Sequence, residues 1–264
     1  MIGVRWGAAT DTGKVRSRNE DAFLAEPPLF VVADGMGGHQ DGAVASRIAV
    51  DTLRGLLDQP TVTPSEVPRL IQAANDAIRG QARVDPTRPG MGTTVVGMVL
   101  VTPKGRRPFW LAFNIGDSRL YQVHRDALSQ ISVDHSYVQE LVLAGVIAPD
   151  EARFHPERAV ITRALGSHEE AEADFWVFPA TAGTRLLLCS DGLSGELDDA
   201  AITAALAAEP DPVLAAGLLV SRANEAGGRD NITVVVVDVC HQPSTGAQNA
   251  DADSTDADST DAVR

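Results

Sequence analysis

Six short runs rich in β-branched and aromatic residues constrain this chain most: LFVVAD at 29–34, TTVVGMVLV at 93–101, FWLAFNI at 109–115, RLYQV at 119–123, RLLLCSD at 185–191 and NITVVVVDV at 231–239. Their lengths suit strands of a sheet core. Helical patterns fall between them in blocks. Residues 42–57 (GAVASRIAVDTLRGLL) repeat apolar side chains at helical spacing. The next helix is expected to open on the capping box Thr63-Pro64-Ser65-Glu66, with the cap hydroxyl on Thr63 and proline at the first helical position, and to run to about Arg83. A later one opens at Asp211-Pro212 and runs to about Ala226. Strands in successive pairs and runs, with helices in pairs between them, favour a layered α+β fold over a strict βαβ repeat.

Two stretches differ from this pattern. Residues 134–166 are helical in pattern, polar, and rich in His and Arg, and they lie between two strand regions, as mobile lids do. The folded body, residues 1–241, ends near His241. Residues 242–264 contain no aromatic residue and repeat the unit DADST, so they read as a disordered acidic tail that cannot bury enough apolar area to offset chain entropy.

The formal net charge of −14 excludes a broad phosphate-backbone footprint, so no nucleic-acid partner is expected. The tail holds five aspartates against one arginine, leaving −10 for the body. No segment approaches the roughly 18 uninterrupted apolar residues of a membrane span, and residues 1–10 lack the layout of a signal peptide. Cys189 and Cys240 sit at the ends of apolar runs and read as small core residues. The expected compartment is the cytoplasm.

The body's acidity has a pattern. Asp34 ends FVVAD and is followed by GMGG; Asp117 follows FNIG; Asp191 ends LLLCSD and is followed by Gly192; Asp230 sits in GGRDN just before TVVVV; and the pair Glu20-Asp21 precedes AFL. One such carboxylate is commonly a turn or helix cap. Several at converging strand ends would repel one another, and burial would penalise each charge, unless cations neutralise them. Carboxylate oxygen suits Mg²⁺ or Mn²⁺, and no Cys/His cluster at zinc spacing competes. A glycine after the Asp lets the backbone approach a metal or its waters closely.

The motifs RSRNEDAF, VVADGMGGH, GTT, NIGDSR, CSDGL and RDNITVVVV occur in this order and together resemble the bacterial PPM, or type 2C, family of metal-dependent serine/threonine protein phosphatases. The match spans roughly residues 1–240. The resemblance implies two packed antiparallel β-sheets flanked by α-helices on both sides, in αββα layers, with a metal cleft at one end. It implies hydrolysis of phosphoserine and phosphothreonine by a water bridging two Mn²⁺ or Mg²⁺ ions. Asp34 would bridge the two core ions, the Gly35 carbonyl would join it, and Asp191 and Asp230 would complete the pair. Asp117 would hold a third, weaker ion together with Asp191. Asp21, with Glu20 beside it, would hold coordinated waters, and Asn231 would lie in the same outer shell. Arg16, five residues before Asp21, would grip substrate phosphate in two-pronged fashion. Residues 134–166 match the bacterial flap, where His135, His155 and Arg163 could touch a phosphopeptide or stabilise the flap.

One position departs from animal relatives: Met36 follows Asp34-Gly35 where they carry a histidine proposed as general acid. His39 or a metal-bound water could serve instead. By resemblance the expected partners are a bacterial Ser/Thr kinase and its substrates; many members carry a membrane anchor after the catalytic domain, whereas the polar tail here leads us to expect a soluble enzyme, and a monomer.

Other motifs fail on inspection. DADST occurs twice and fits an aspartyl-phosphate pattern, but no apolar strand precedes it. CSDGLSG has Gly195 where a cysteine phosphatase needs arginine, and DGMGG lacks the lysine of a P-loop. Two rivals stay open: a hydrolase of small phosphate esters on the same scaffold, and an inactive binding relative. Loss of metal aspartates would mark the second, and none is missing.

Overall fold

The computed structural model describes residues 2–37, 41–59, 61–84, 90–124 and 127–241. His39 and the tail from 242 onward, named above, lie outside the described residues. The chain opens with β1 (Ile2–Asp11), β2 (Ala22–Glu26), β3 (Leu29–Ala33) and the short β4 (Gly35–Met36), followed by α1 (Asp41–Arg54) and α2 (Glu66–Val84). Then come β5 (Gly92–Thr93), β6 (Val95–Val101), β7 (Phe109–Ile115), β8 (Arg119–His124), β9 (Ala127–Gln130), and two short helices, α3 (Tyr137–Leu143) and α4 (Pro149–Ala152). The rest is β10 (Asp174–Pro179), β11 (Arg185–Cys189), α5 (Asp191–Ser194), α6 (Asp199–Ala208), α7 (Pro212–Ala226) and β12 (Ile232–His241).

Two antiparallel five-stranded sheets result, in the orders β1-β12-β11-β8-β9 and β10-β7-β6-β3-β2, with β4 and β5 paired apart. Period-two alternation sends successive side chains to opposite faces, and here both faces are covered. On β3, Phe30 and Val32 point into the space between the sheets with Trp110, Leu188 and Val235. Leu29, Val31 and Ala33 point the other way, onto Ala45, Leu53, Ile71 and Ile78 of α1 and α2. On β12, Val235 and Val237 face the inter-sheet core, while Val234 and Val236 pack under Ile202, Ala216 and Leu219 of α6 and α7. Strands apolar on both sides therefore make a four-layer αββα sandwich, as the resemblance implied.

Two details differ from the sequence reading. The second helix starts at Glu66, not at Pro64: the Thr63 hydroxyl meets Ser65 Oγ at 3.4 Å, and the Glu66 N–H closes a turn on the Thr63 carbonyl at 3.0 Å. Pro68 explains the shift. Starting at Glu66 puts Pro68 in the first turn, where its missing N–H costs nothing. A start at Pro64 would have asked Pro68 to donate to the Pro64 carbonyl. Cys189 is buried as expected, but Cys240 is only half-buried; both are free thiols. Among the described residues no helix is long and apolar enough to cross a membrane.

Antiparallel pairing brings alternate strand ends to one rim. β11 ends just before Asp191, and its neighbour β12 begins just after Asp230. In the other sheet β3 ends at Ala33, β2 begins opposite it at Ala22, and β7 ends at Ile115 beside the start of β6. The acidic turns all leave from that rim.

Candidate active site

The rim encloses a cleft of about 690 Å³. Asp34, Gly35, Asp117, Asp191, Asp230, Glu20 and Asn231 line it, together with Arg16, Arg18 and Met36. Ala159 and Ile161 form part of the facing wall. Asp21 does not line the cleft. One of its oxygens accepts from Ser190 Oγ at 2.8 Å, and the other is buried without a partner.

Each acidic group is seated by the local chain. The Asp34 N–H donates to Thr94 Oγ1 at 3.1 Å, and the Asp34 carbonyl accepts from Thr93 Oγ1 at 2.8 Å. Gly35 packs so tightly that a Cβ would lie 2.2 Å from the Gly42 carbonyl oxygen and 2.5 Å from that of Glu20. The glycine is thus needed first for the chain to pass the start of α1. The turn before β8 has Gly116 at φ +103°, and a Cβ there would strike Thr94. Ser118 Oγ meets Thr94 Oγ1 at 2.7 Å. Asn231 fastens the loop after β1: its Oδ1 accepts from the Glu20 N–H, and its Nδ2 donates to the carbonyls of Thr12 and Arg18.

The electrostatics are lopsided. Burial pushes Asp34 well above the usual carboxylate range, and its neighbours Asp21, Asp191 and Asp117 add to the push. Burial, then Asp191, raises Asp117 to about 8. Asp21 is raised to about 7, by burial against the opposing bonds from Thr233 and Ser190. Asp191 is raised by burial and by Asp230. Of the arginines lining the cleft, Arg16 meets an acid: its Nη2 donates to Asp230 Oδ2 at 2.6 Å, and mainly that bond holds its pKa above the usual value.

These groups fit hard divalent cations. The donors are all oxygen, they repel one another, and Asp191 Oδ1 is buried with no hydrogen-bond partner. Among the described residues the carboxylates stand around the cleft rather than in one closed set of three donors.

The family model described as protein phosphatase 2C matches residues 13–218. This chain belongs to the protein phosphatase 2C family. Its family relatives include the serine/threonine protein phosphatase PstP of Mycobacterium tuberculosis, 41% identical over 238 residues, which cover 89% of this chain and 45% of that protein. The chain thus spans about half the length of that relative. The serine/threonine phosphatase stp of Listeria innocua is 35% identical over 240 residues, covering 87% of this chain and 93% of that one. Among protein phosphatase 2C structures, the PstP catalytic domain in complex with two manganese ions superposes with a TM-score of 0.83 at 38% identity, covering 91% of this chain and all of that one.

Sequence reasoning missed several residues that line or support this protein phosphatase 2C cleft. The hydroxyls of Thr93 and Thr94 seat Asp34, and the adjacent pair in GTT was their only signal. Arg119, in NIGDSR, makes a two-pronged pair with Asp134, at 2.9 and 2.6 Å to Oδ2, and donates to Tyr121 Oη. Of the three flap candidates none lines the cleft. His155 stacks edge-on with Tyr137, while His135 and Arg163 bond to Asp174.

Proposed function

We propose that this chain hydrolyses phosphoserine and phosphothreonine esters in proteins. The carrying observation is that Asp34, Asp117, Asp191 and Asp230, from turns of both sheets, share one cleft with Arg16 and Arg18, of which Arg16 bonds Asp230. Family membership supports the reading, as does the relative solved with two manganese ions. Asp34, the Gly35 carbonyl, Asp191 and Asp230 would hold two Mn²⁺ or Mg²⁺ ions, Asp117 with Asp191 would hold a third, and Glu20, Asp21 and Asn231 would serve as their outer support. Bound ions supply charge neutralisation and an activated water for in-line attack at phosphorus.

The chain's own residues do the rest. Arg16, released from Asp230, grips two phosphate oxygens and orients the ester. Asn231 keeps that arginine's loop in register through Arg18 and Glu20. Met36 lines the cleft beside Gly35 and has no proton to give, so the departing alkoxide is not protonated from that position. Residues 134–166 act as the flap, whose 159–161 stretch limits what reaches the acids. The substrates would be targets of a Ser/Thr kinase, met in the cytoplasm by a monomeric enzyme; the two free thiols fit that compartment.

The test is turnover of p-nitrophenyl phosphate and of a phosphothreonine peptide, each with Mn²⁺ and with chelator. Both should turn over with Mn²⁺ and neither with chelator. Failure of both with Mn²⁺ present would sink the enzyme reading, and turnover of the small ester alone would overturn the protein substrate.

A further inference from the structure

The root of the 134–166 segment grips the turn that carries Asp117 from both sides. Asp134 takes Arg119, two residues after Asp117. His135 takes Gly116, one residue before it, and does so twice. Its backbone N–H donates to the Gly116 carbonyl at 2.9 Å, and its Nδ1 accepts the Gly116 N–H at 3.1 Å. A ring nitrogen that accepts carries no proton, so the neutral imidazole keeps its proton on Nε2. That nitrogen lies 3.2 Å from Asp174 Oδ2 and 3.3 Å from Arg163 Nη1, and the same Nη1 donates to Asp174 Oδ1 at 3.1 Å. A carboxylate that fixes which imidazole nitrogen is free to accept is the arrangement by which outer groups orient a ligand-bearing element.

His135 is 6% exposed and does not line the cleft, so nothing in its position suits contact with substrate. Its backbone carbonyl accepts from the Thr162 N–H at 2.8 Å, directly after the stretch that forms the facing wall. One residue therefore touches both the turn of Asp117 and the chain that closes over the cleft.

We propose that His135 is a positioning residue that, through the Gly116 amide, fixes the direction of Asp117 and so sets the affinity of the weakest cation site. The proposal rests on the reading of Asp117 given under Proposed function. His135→Asn keeps an acceptor where Nδ1 stands, whereas His135→Gln puts its amide where Nε2 stands and leaves the Gly116 N–H without a partner. Calorimetric titration of the whole chain with Mn²⁺ should show that His135→Gln weakens the low-affinity class about ten- to hundredfold, leaves the high-affinity class within about twofold, and that His135→Asn recovers most of the loss.

Asp117→Asn serves as the reference. If it leaves the low-affinity class intact, the reading of Asp117 fails and the role of His135 falls with it. If Asp117→Asn removes that class while His135→Gln does not weaken it, the positioning role alone is overturned. Equal loss of both classes in the Gln and Asn variants would make His135 a packing residue and overturn it as well.

Discussion

Each end of the sheet built from β1, β12, β11, β8 and β9 holds half-buried or buried acid, and the two ends treat it in opposite ways. At the far end Asp238 of β12 faces Arg185 of β11, with Nε to Oδ1 at 2.7 Å and Nη2 to Oδ2 at 2.9 Å. Arg5 adds a third contact, and Arg185 spends its remaining donors on the carbonyls of Leu206, Glu209 and Pro210. Every charge there is answered within the fold. At the near end Asp34, Asp117, Asp191 and Asp230 share the cleft with Arg16 and Arg18, and Arg16 bonds Asp230. Acidity alone therefore does not mark a site; the surplus left after pairing does.

The comparison can be broken at either end. The largest effect is expected from Asp34→Asn or Asp191→Asn, which should cut turnover by about a thousandfold or more, since an ion bound through these groups supplies most of the catalysis. Melting in chelator should show no loss of stability, because the change removes an unmatched charge. A large drop in melting temperature would mean that the near-end acids are as structural as Asp238. Asp238→Ala should do the reverse: it leaves the half-buried Arg185 without its counter-charge and should cost about 3 kcal/mol in urea unfolding, while kcat stays within about twofold.

Arg16→Ala should raise KM for a phosphopeptide by about ten- to hundredfold, the worth of charged hydrogen bonds to phosphate. An unchanged KM would leave Arg16 as no more than a partner of Asp230. The smallest effect expected is thermal. Asp21 and Asp117 keep their protons in the folded chain up to about 7 and about 8, whereas unfolded carboxylates lose theirs near pH 4. Between those limits the folded state binds more protons, so stability in chelator should fall as pH rises from about 4 to about 8. Mn²⁺ should therefore raise the melting temperature more at pH 8 than at pH 5. A flat pH profile in chelator would show that these carboxyls are not desolvated as described.

The strands that carry the core were legible because their apolar runs are covered on both faces: residues 29–34, 93–101 and 231–239 read as strands, and β3 (Leu29–Ala33), β6 (Val95–Val101) and β12 (Ile232–His241) occupy most of them. The strand over residues 2–11 went unread. It is an edge strand of Gly, Ala and Thr with only half-buried valine and isoleucine, and its ten-residue pairing with β12 is invisible from local composition. The helix over 199–208 was missed for a similar reason, being alanine-rich with little contrast between its faces. The acids of the cleft were legible because each stands where an apolar run stops. The groups that aim them were not. Thr94 reaches Asp34 across 60 residues and Ser190 reaches Asp21 across 169, and no local pattern encodes such distances.

The position of β12 has a consequence for the life of the protein. Among the described residues β12 is the last strand, and it lies between β1 and β11; Asn231, just before it, holds the loop bearing Arg16. A ribosome still translating this message therefore carries a chain with Asp34 and Asp117, after β3 and β7, already made but with no partner for β1 and no anchor for the loop that bears Arg16. On the proposed function, hydrolysis would have to wait for β12 to emerge and insert.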